Sequence, residues 1–259
     1  MRWIEVNGHD IAYREEGAGQ PLVFLHGMSS CGEAWWQQFD AFSTDYRVIA
    51  YDSINHGHSA NSARGEVEPD RTDELEGFLR ALGIERPILA GNSMGGATIL
   101  RWAARHPGEA RALVVSGMGI AERGKAVFRE IQPIDQETLF LPIGDSLTDT
   151  LRKERPLMYE RYLRIRSTAT RLEYMRHPRQ RNPLTVSETE SLAEKMAAVT
   201  SPMLVIVGSL DGLVPNAKRL HGMVAQSQYH EVAGAPHNVY WEAAEEWNRV
   251  VAGFLAGTS

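Results

Sequence analysis

Gly91-Asn92-Ser93-Met94-Gly95-Gly96 decides the reading of this sequence. It fits the G-x-S-x-G pattern, and its setting matters as much as its letters. A short apolar run, Pro87-Ile88-Leu89-Ala90, precedes it. A helix-like stretch from about Gly95 to Arg105 follows it and stops before Pro107. A serine on a strained turn between such elements is pushed out at the carboxyl end of a sheet. Glycines on either side let strand and helix approach closely. The helix N-terminus adds a positive dipole end and N–H groups where negative charge can develop. The plainer reading is a small-residue turn that packs a helix on a sheet. The strand-before, helix-after context favours a nucleophile.

Working outward, further apolar runs read as strands buried on both faces. Pro21-Leu22-Val23-Phe24-Leu25 ends at His26-Gly27, and Arg47-Val48-Ile49-Ala50-Tyr51 ends at Asp52. Arg111 to Val115, Met203 to Val207 and Tyr229 to Val232 complete the series. At the start, Trp3 to Val6 and Ile11 to Tyr13 flank Asn7-Gly8, which predicts a type I′ hairpin. Helices are predicted over Asp70–Leu82 and Ala243–Leu255 from their apolar faces. This alternation predicts an α/β fold with a mostly parallel sheet and helices on both faces. The stretch 121–197 breaks the rhythm and is too long for one crossover. It contains helix-like segments at Asp145–Arg152 and Pro156–Ser167, and a capping box at Ser187 and Glu190. It is expected to be a helical cap inserted into a core made of 1–120 and 198–259.

A nucleophilic serine needs a base, and the base needs an orienting acid. On a strand–turn–helix elbow the expected chain order is Ser, then Asp or Glu, then His. Asp211 lies in Gly208-Ser209-Leu210-Asp211-Gly212, just past the Met203–Val207 run. His237 closes Gly234-Ala235-Pro236-His237, past the last strand, where small residues let the loop come over the serine. His221 falls in a helix-like stretch and His230 in a strand, so both read as structural. No acid directly follows the Leu113–Val115 run, which leaves Asp211 as the orienting acid. An oxyanion hole is expected from the backbone N–H groups of Met94 and Met28, with Ser29 as the alternative to Met28.

Composition narrows the class. The 259 residues are 43% hydrophobic and 23% charged, as in an ordinary globular protein. The single cysteine, Cys31, excludes a disulfide framework and a cysteine zinc site. His56-x-His58 lacks a third ligand at suitable spacing and reads as a hydrogen-bonded turn. No metal or cofactor is therefore expected. Residues 1–5 hold no signal-like apolar run and no stretch is long enough to span a bilayer, so the expected location is the cytoplasm. The net charge of −6 argues against nucleic acid as a partner. It is unevenly spread: residues 151–182 carry ten basic and three acidic side chains, a net of +7 that leaves −13 for the rest. Most of those arginines read as solvated helix faces or ion pairs with the acidic body. One or two could instead point at the serine and select an anionic small molecule. A homo-oligomer is left open.

Together the His26-Gly27-Met28 loop, the Asp52-to-Ser59 turn, the elbow, Asp211 and His237 resemble the α/β-hydrolase superfamily over nearly the whole chain. The elbow, and His237 followed by Trp241-Glu242, Glu246, Asn248 and Phe254, are similar to the capped serine C–C hydrolases of aromatic ring-fission products. That resemblance implies that Asn92 and Trp241 help position substrate. It also implies that Arg176, in Met175-Arg176-His177-Pro178, meets the substrate's carboxylate or enol oxygens. The sequence departs from those enzymes at Met28-Ser29-Ser30-Cys31, where they carry Ser-Gly-Pro-Gly, and at Asn55-His56-Gly57-His58. Dehalogenases and epoxide hydrolases of the superfamily use an aspartate where Ser93 stands. The expected activity is hydrolysis of a small ester or lactone. Hydrolysis of a C–C bond is the alternative, and a ligand receptor on the same fold is a third reading.

Overall fold

Residues that alternate along a strand face opposite sides of a sheet, and that period explains the continuous apolar runs. The computed structural model describes residues 1–62, 69–122, 146–169 and 186–258. Its strands are β1 (Arg2–Val6), β2 (His9–Glu16), β3 (Pro21–Leu25), β4 (Arg47–Tyr51), β5 (Ile88–Asn92), β6 (Ala112–Ser116), β7 (Met203–Gly208) and β8 (Ser227–Val232). They form one sheet in the order β1-β2-β4-β3-β5-β6-β7-β8. From β4 to β8 every pairing is parallel, while β1 and β2 add an antiparallel edge. The hairpin joining that edge turns at Asn7 and Gly8 with φ of 51° and 83°, the two positive values a type I′ turn requires.

Helices cover both faces, as the sequence predicts. Val23, Leu25, Leu89, Leu113, Val115, Val205 and Val207 face one side. There they meet α2 (Arg71–Ala81) through Leu75 and Phe78, and α3 (Met94–Arg105) through Ile99 and Leu100. Leu22, Phe24, Ile88, Ala90, Val114, Leu204 and Ile206 face the other, against Trp35, Phe39, Trp247 and Phe254. Phe39 belongs to α1 (Trp36–Phe42). Between β6 and β7 come α4 (Asp149–Glu154), α5 (Pro156–Ala169) and α6 (Val186–Met196). α5 adds Tyr162, Ile165 and Ala169 to the second cluster, and α6 adds Leu192 and Met196 to the first. After β7 follow α7 (Val214–Met223), α8 (Val239–Glu242) and α9 (Ala244–Ala256). Asp70 caps α2, its carboxylate accepting from the Thr72 and Asp73 N–H groups.

The chain leaves β3 for β4 on one side and returns to β5 on the other. Crevices at the carboxyl ends of strands open at such a switch point. Close packing at that point depends on Gly95. A Cβ there would lie 2.2 Å from the Leu25 carbonyl oxygen and 2.6 Å from its carbon. Both atoms belong to the backbone of a central strand, so neither can yield cheaply. Gly95→Ala is expected to destabilise the fold by about 3 kcal/mol or to prevent folding. A urea midpoint equal to that of the parent protein would contradict the close approach.

Candidate active site

Ser93 follows β5 and opens α3 with φ 54° and ψ −111°, a region that costs an L-residue of order 1–3 kcal/mol. The turn is pinned on both sides. The Ser93 N–H donates to the Ser116 carbonyl at 2.9 Å, and the Ser93 carbonyl accepts from Ala97 N–H at 2.9 Å. Gly91 makes the turn feasible, since a Cβ there would lie 2.6 Å from the Gly95 carbonyl carbon. The side chain is half-buried at the sheet's carboxyl edge.

Asp211 and His237 reach the same edge. The Asp211 carboxylate is buried at the end of β7, in a turn closed by its N–H on the Gly208 carbonyl at 3.0 Å. Its Oδ1 accepts from the Leu213 N–H at 2.9 Å, and its Oδ2 lies 2.8 Å from His237 Nδ1. The histidine loop packs against the end of β7, where the close approach falls on Gly208 rather than on Gly234. A Cβ on Gly208 would lie 2.3 Å from the Ala235 carbonyl oxygen. Gly117, just past β6, serves similarly. A Cβ there would lie 3.2 Å from His237 Cε1 and 2.9 Å from Asn92 Oδ1. Ser93 hydrogen-bonds the residue before Gly117, so serine and imidazole flank the end of β6. The rival histidines are engaged elsewhere, His221 with the Ser227 hydroxyl and His230 with Glu246.

The loop after β3 faces the elbow. A Cβ on Gly27 would meet Ser93 Cβ at 3.5 Å. Met28 is half-buried, Met94 is buried, and Ser29 holds a positive φ of 57°. His26 anchors the loop from below. Its Nε2 accepts from the Ser53 N–H at 3.0 Å, so the proton sits on Nδ1 and donates to the Gly27 carbonyl at 2.8 Å. Burial disfavours the charged ring and pushes its pKa down to about 4, although the Gly27 hydrogen bond and Asp52 pull the other way. In the unfolded chain the same ring titrates near 6.5. Between those values the unfolded state binds more protons, so stability is lost as pH falls from 6.5 towards 4, by about 3 kcal/mol for this group. Buried Glu74 acts oppositely, because burial raises its pKa despite the neighbouring Arg71. The expected result is a urea midpoint that drops on acidification across this window, with a shallower drop in His26→Gln. Equal slopes would remove the assignment.

His56 and His58 sit in the hydrogen-bonded turn the sequence suggests. His56 Nδ1 meets the Ile54 carbonyl, and the Asp52 carboxylate accepts from the His58 and Gly32 N–H groups. Among the described residues no cluster suits a metal ion, and no helix is long and apolar enough to cross a membrane. Cys31 is buried, and burial pushes its thiol pKa up, which keeps it protonated.

Arg176 lies outside the described residues. Trp241 is fully buried, edge-on to Tyr162 at 5.5 Å and to Trp36 at 6.3 Å. The Asn92 side chain donates to Asn238 Oδ1 at 3.0 Å. Asn238, Tyr162 and Arg166 escaped the sequence reading. The three are buried, the Tyr162 hydroxyl accepts from Asn238 Nδ2 at 3.0 Å, and the Arg166 charge acts on that hydroxyl. The spacing of Tyr162, Ile165 and Ala169 marks a buried helix face, but nothing local says what a polar tip on that face would meet.

The model of the family described as alpha/beta hydrolase fold matches residues 20–244. A 2-hydroxy-6-oxo-6-phenylhexa-2,4-dienoate hydrolase of Comamonas testosteroni is 28% identical over 95% of this chain and 91% of its own. The enol-lactonase of Burkholderia xenovorans superposes with a TM-score of 0.81 at 23% identity, covering 98% of this chain and all of that one. An esterase of a Rhodococcus species superposes with a TM-score of 0.80 at 23% identity, covering 99% and 98% of the two chains.

Proposed function

Because the chain belongs to the alpha/beta hydrolase fold family, we propose that it is a serine hydrolase of a small ester or lactone, with Ser93, His237 and Asp211 as its triad. The observation that carries this reading is the 2.8 Å hydrogen bond from His237 Nδ1 to buried Asp211, at the sheet edge where Ser93 stands on its elbow. Asp211 holds the proton on Nδ1, which leaves Nε2 to act as base. Ser93 Oγ attacks the carbonyl carbon and gives its proton to His237. The negative oxygen is held by the N–H groups of Met28 and Met94. His26 supports the first of these. It draws the Gly27 carbonyl to one side, and in a trans peptide the Met28 N–H then points to the other. The intermediate collapses, His237 protonates the leaving alkoxide, and an acyl group remains on Ser93. Water then attacks that acyl group, losing its proton to His237, and the acid leaves with Ser93 restored.

The segment 121–197 is proposed as the cap above this edge. The test of the whole reading is turnover of short p-nitrophenyl esters together with fluorophosphonate labelling. Labelling at Ser93 with ester turnover supports it. Tight ligand binding without labelling would favour a receptor.

A second reading is favoured by the Comamonas relative, whose name describes hydrolysis of a dienoate. In that case the Ser93–His237 pair would serve cleavage of a C–C bond, and Arg176 would pair with the substrate's carboxylate. Arg176→Gln should then raise KM for a carboxylate-bearing dienoate about 10- to 100-fold more than for a neutral ester, the worth of a charged hydrogen bond. Equal changes for the two substrates would remove that role.

A further inference from the structure

We infer that Tyr162, Asn238 and Asn92 form a buried relay through which the helical segment after β6 positions His237 against Ser93, which makes Tyr162 and Asn238 positioning residues for the reaction. The inference rests on the serine-hydrolase reading above and deepens it. Asn92 directly precedes Ser93, and Asn238 directly follows His237. The two side chains are hydrogen-bonded at 3.0 Å, Asn92 Nδ2 donating to Asn238 Oδ1. The backbones that carry nucleophile and base are therefore clipped together one residue away from each. Both amides are buried, so water offers little competition for the bond.

Tyr162 sets the direction of the clip. Asn238 Nδ2 donates to the Tyr162 hydroxyl at 3.0 Å, which turns Asn238 Oδ1 towards Asn92. The positive charge of Arg166 acts on the same hydroxyl, against the burial that raises its pKa.

The same short stretch is tied to the cap side elsewhere. The Asn238 N–H donates to the Ser146 carbonyl at 3.1 Å, and the Thr148 N–H donates to the Glu242 carboxylate at 2.9 Å. The Arg155 guanidinium donates to the Glu242 carbonyl at 3.0 Å. Trp241 packs edge-on to the Tyr162 ring. Four contacts thus bind the stretch 146–162 to residues 238–242, directly behind the histidine. None of the groups named in these contacts belongs to the triad, and each acts through its neighbour.

The experiment compares the parent protein with Tyr162→Phe, Asn238→Ala and the double variant. Tyr162→Phe keeps the ring against Trp241 and removes only the hydroxyl, so it carries the test even if Asn238→Ala fails to fold. It is expected to lower kcat on a short p-nitrophenyl ester about tenfold, the scale of a sub-ångström misplacement, with KM within about twofold. Labelling of Ser93 should slow in parallel. The double variant should be no slower than Asn238→Ala alone, because the two act in series. A readout free of turnover is the downfield Nδ1 proton of His237, which should broaden in Tyr162→Phe. Unchanged kcat, a loss confined to KM, or losses that multiply in the double variant would overturn the relay. If Ser93 is not labelled in the parent protein, the serine-hydrolase reading fails. The His237 proton then decides the relay alone, and an unbroadened signal in Tyr162→Phe overturns it.

Discussion

Ser93→Ala is expected to lower kcat on any substrate of this protein by roughly 10⁴- to 10⁶-fold, the scale seen when a triad nucleophile is deleted elsewhere. The size follows from the role proposed for the hydroxyl. In that mechanism its loss removes the acyl intermediate, and water must attack unaided. The N–H groups proposed for the oxyanion remain, so a residual acceleration of about 10³-fold over water should survive. KM should change little, because alanine removes one atom from a half-buried side chain. Stability should change by under about 1 kcal/mol, since both residues are equally strained at a φ of 54°. Fluorophosphonate labelling should disappear altogether. Activity retained in a clean Ser93→Ala preparation would sink the mechanism.

The elbow was legible because its chemistry is local. A strand that ends, a serine that must sit at positive φ, and glycines where strand and helix touch all occupy six consecutive residues. Asp211 and His237 were legible for a related reason. Each follows a strand end, and parallel strands deliver their ends to one edge. Most element ends moved by a residue or two, but β2 runs three residues past Tyr13 and the helix predicted from Asp145 starts at Asp149. The helix predicted from Gly95 starts at Met94, and the strand predicted from Arg111 starts at Ala112. Helix ends fray, and hydrogen bonding rather than composition decides the last residue.

What the sequence hid is non-local. Asn92 reads as a substrate contact by resemblance, yet its amide nitrogen is committed to Asn238, 146 positions away. The positive charge of residues 151–182 also gains detail over its described part. Arg164 pairs with Glu33, as the ion-pair reading expects, whereas Arg161 stacks over the Trp36 ring. Arg166 is buried instead, beside the Tyr162 hydroxyl. Which arginine on a helix turns inward depends on the face that α5 presents to the buried aromatic cluster around Trp241. Only the packing of Tyr162, Ile165 and Ala169 settles that.

Asp211→Asn should lower kcat by about 10⁴-fold while leaving the fold intact, and the hydrogen bonds around Asp211 say why. A carboxylate accepts at both oxygens. Here Oδ1 takes the Leu213 N–H and Oδ2 takes the proton on His237 Nδ1. An asparagine has one acceptor and one donor, and the Leu213 N–H demands the acceptor. The amide nitrogen must then face His237 and donate to Nδ1. That moves the ring proton to Nε2, where it blocks acceptance of the Ser93 proton. Flipping the amide would set its N–H group against the Leu213 N–H in a buried turn, at a cost of about 1–3 kcal/mol, so the wrong tautomer prevails. The two replacements separate cleanly in the labelling assay. Ser93→Ala has no oxygen to modify, whereas Asp211→Asn keeps Ser93 and should label slowly. Substrate affinity should hold, because Asp211 lies behind the imidazole. If Asp211→Asn keeps more than about a tenth of the parent kcat, the tautomer is not set here, and the orienting role of Asp211 fails with it.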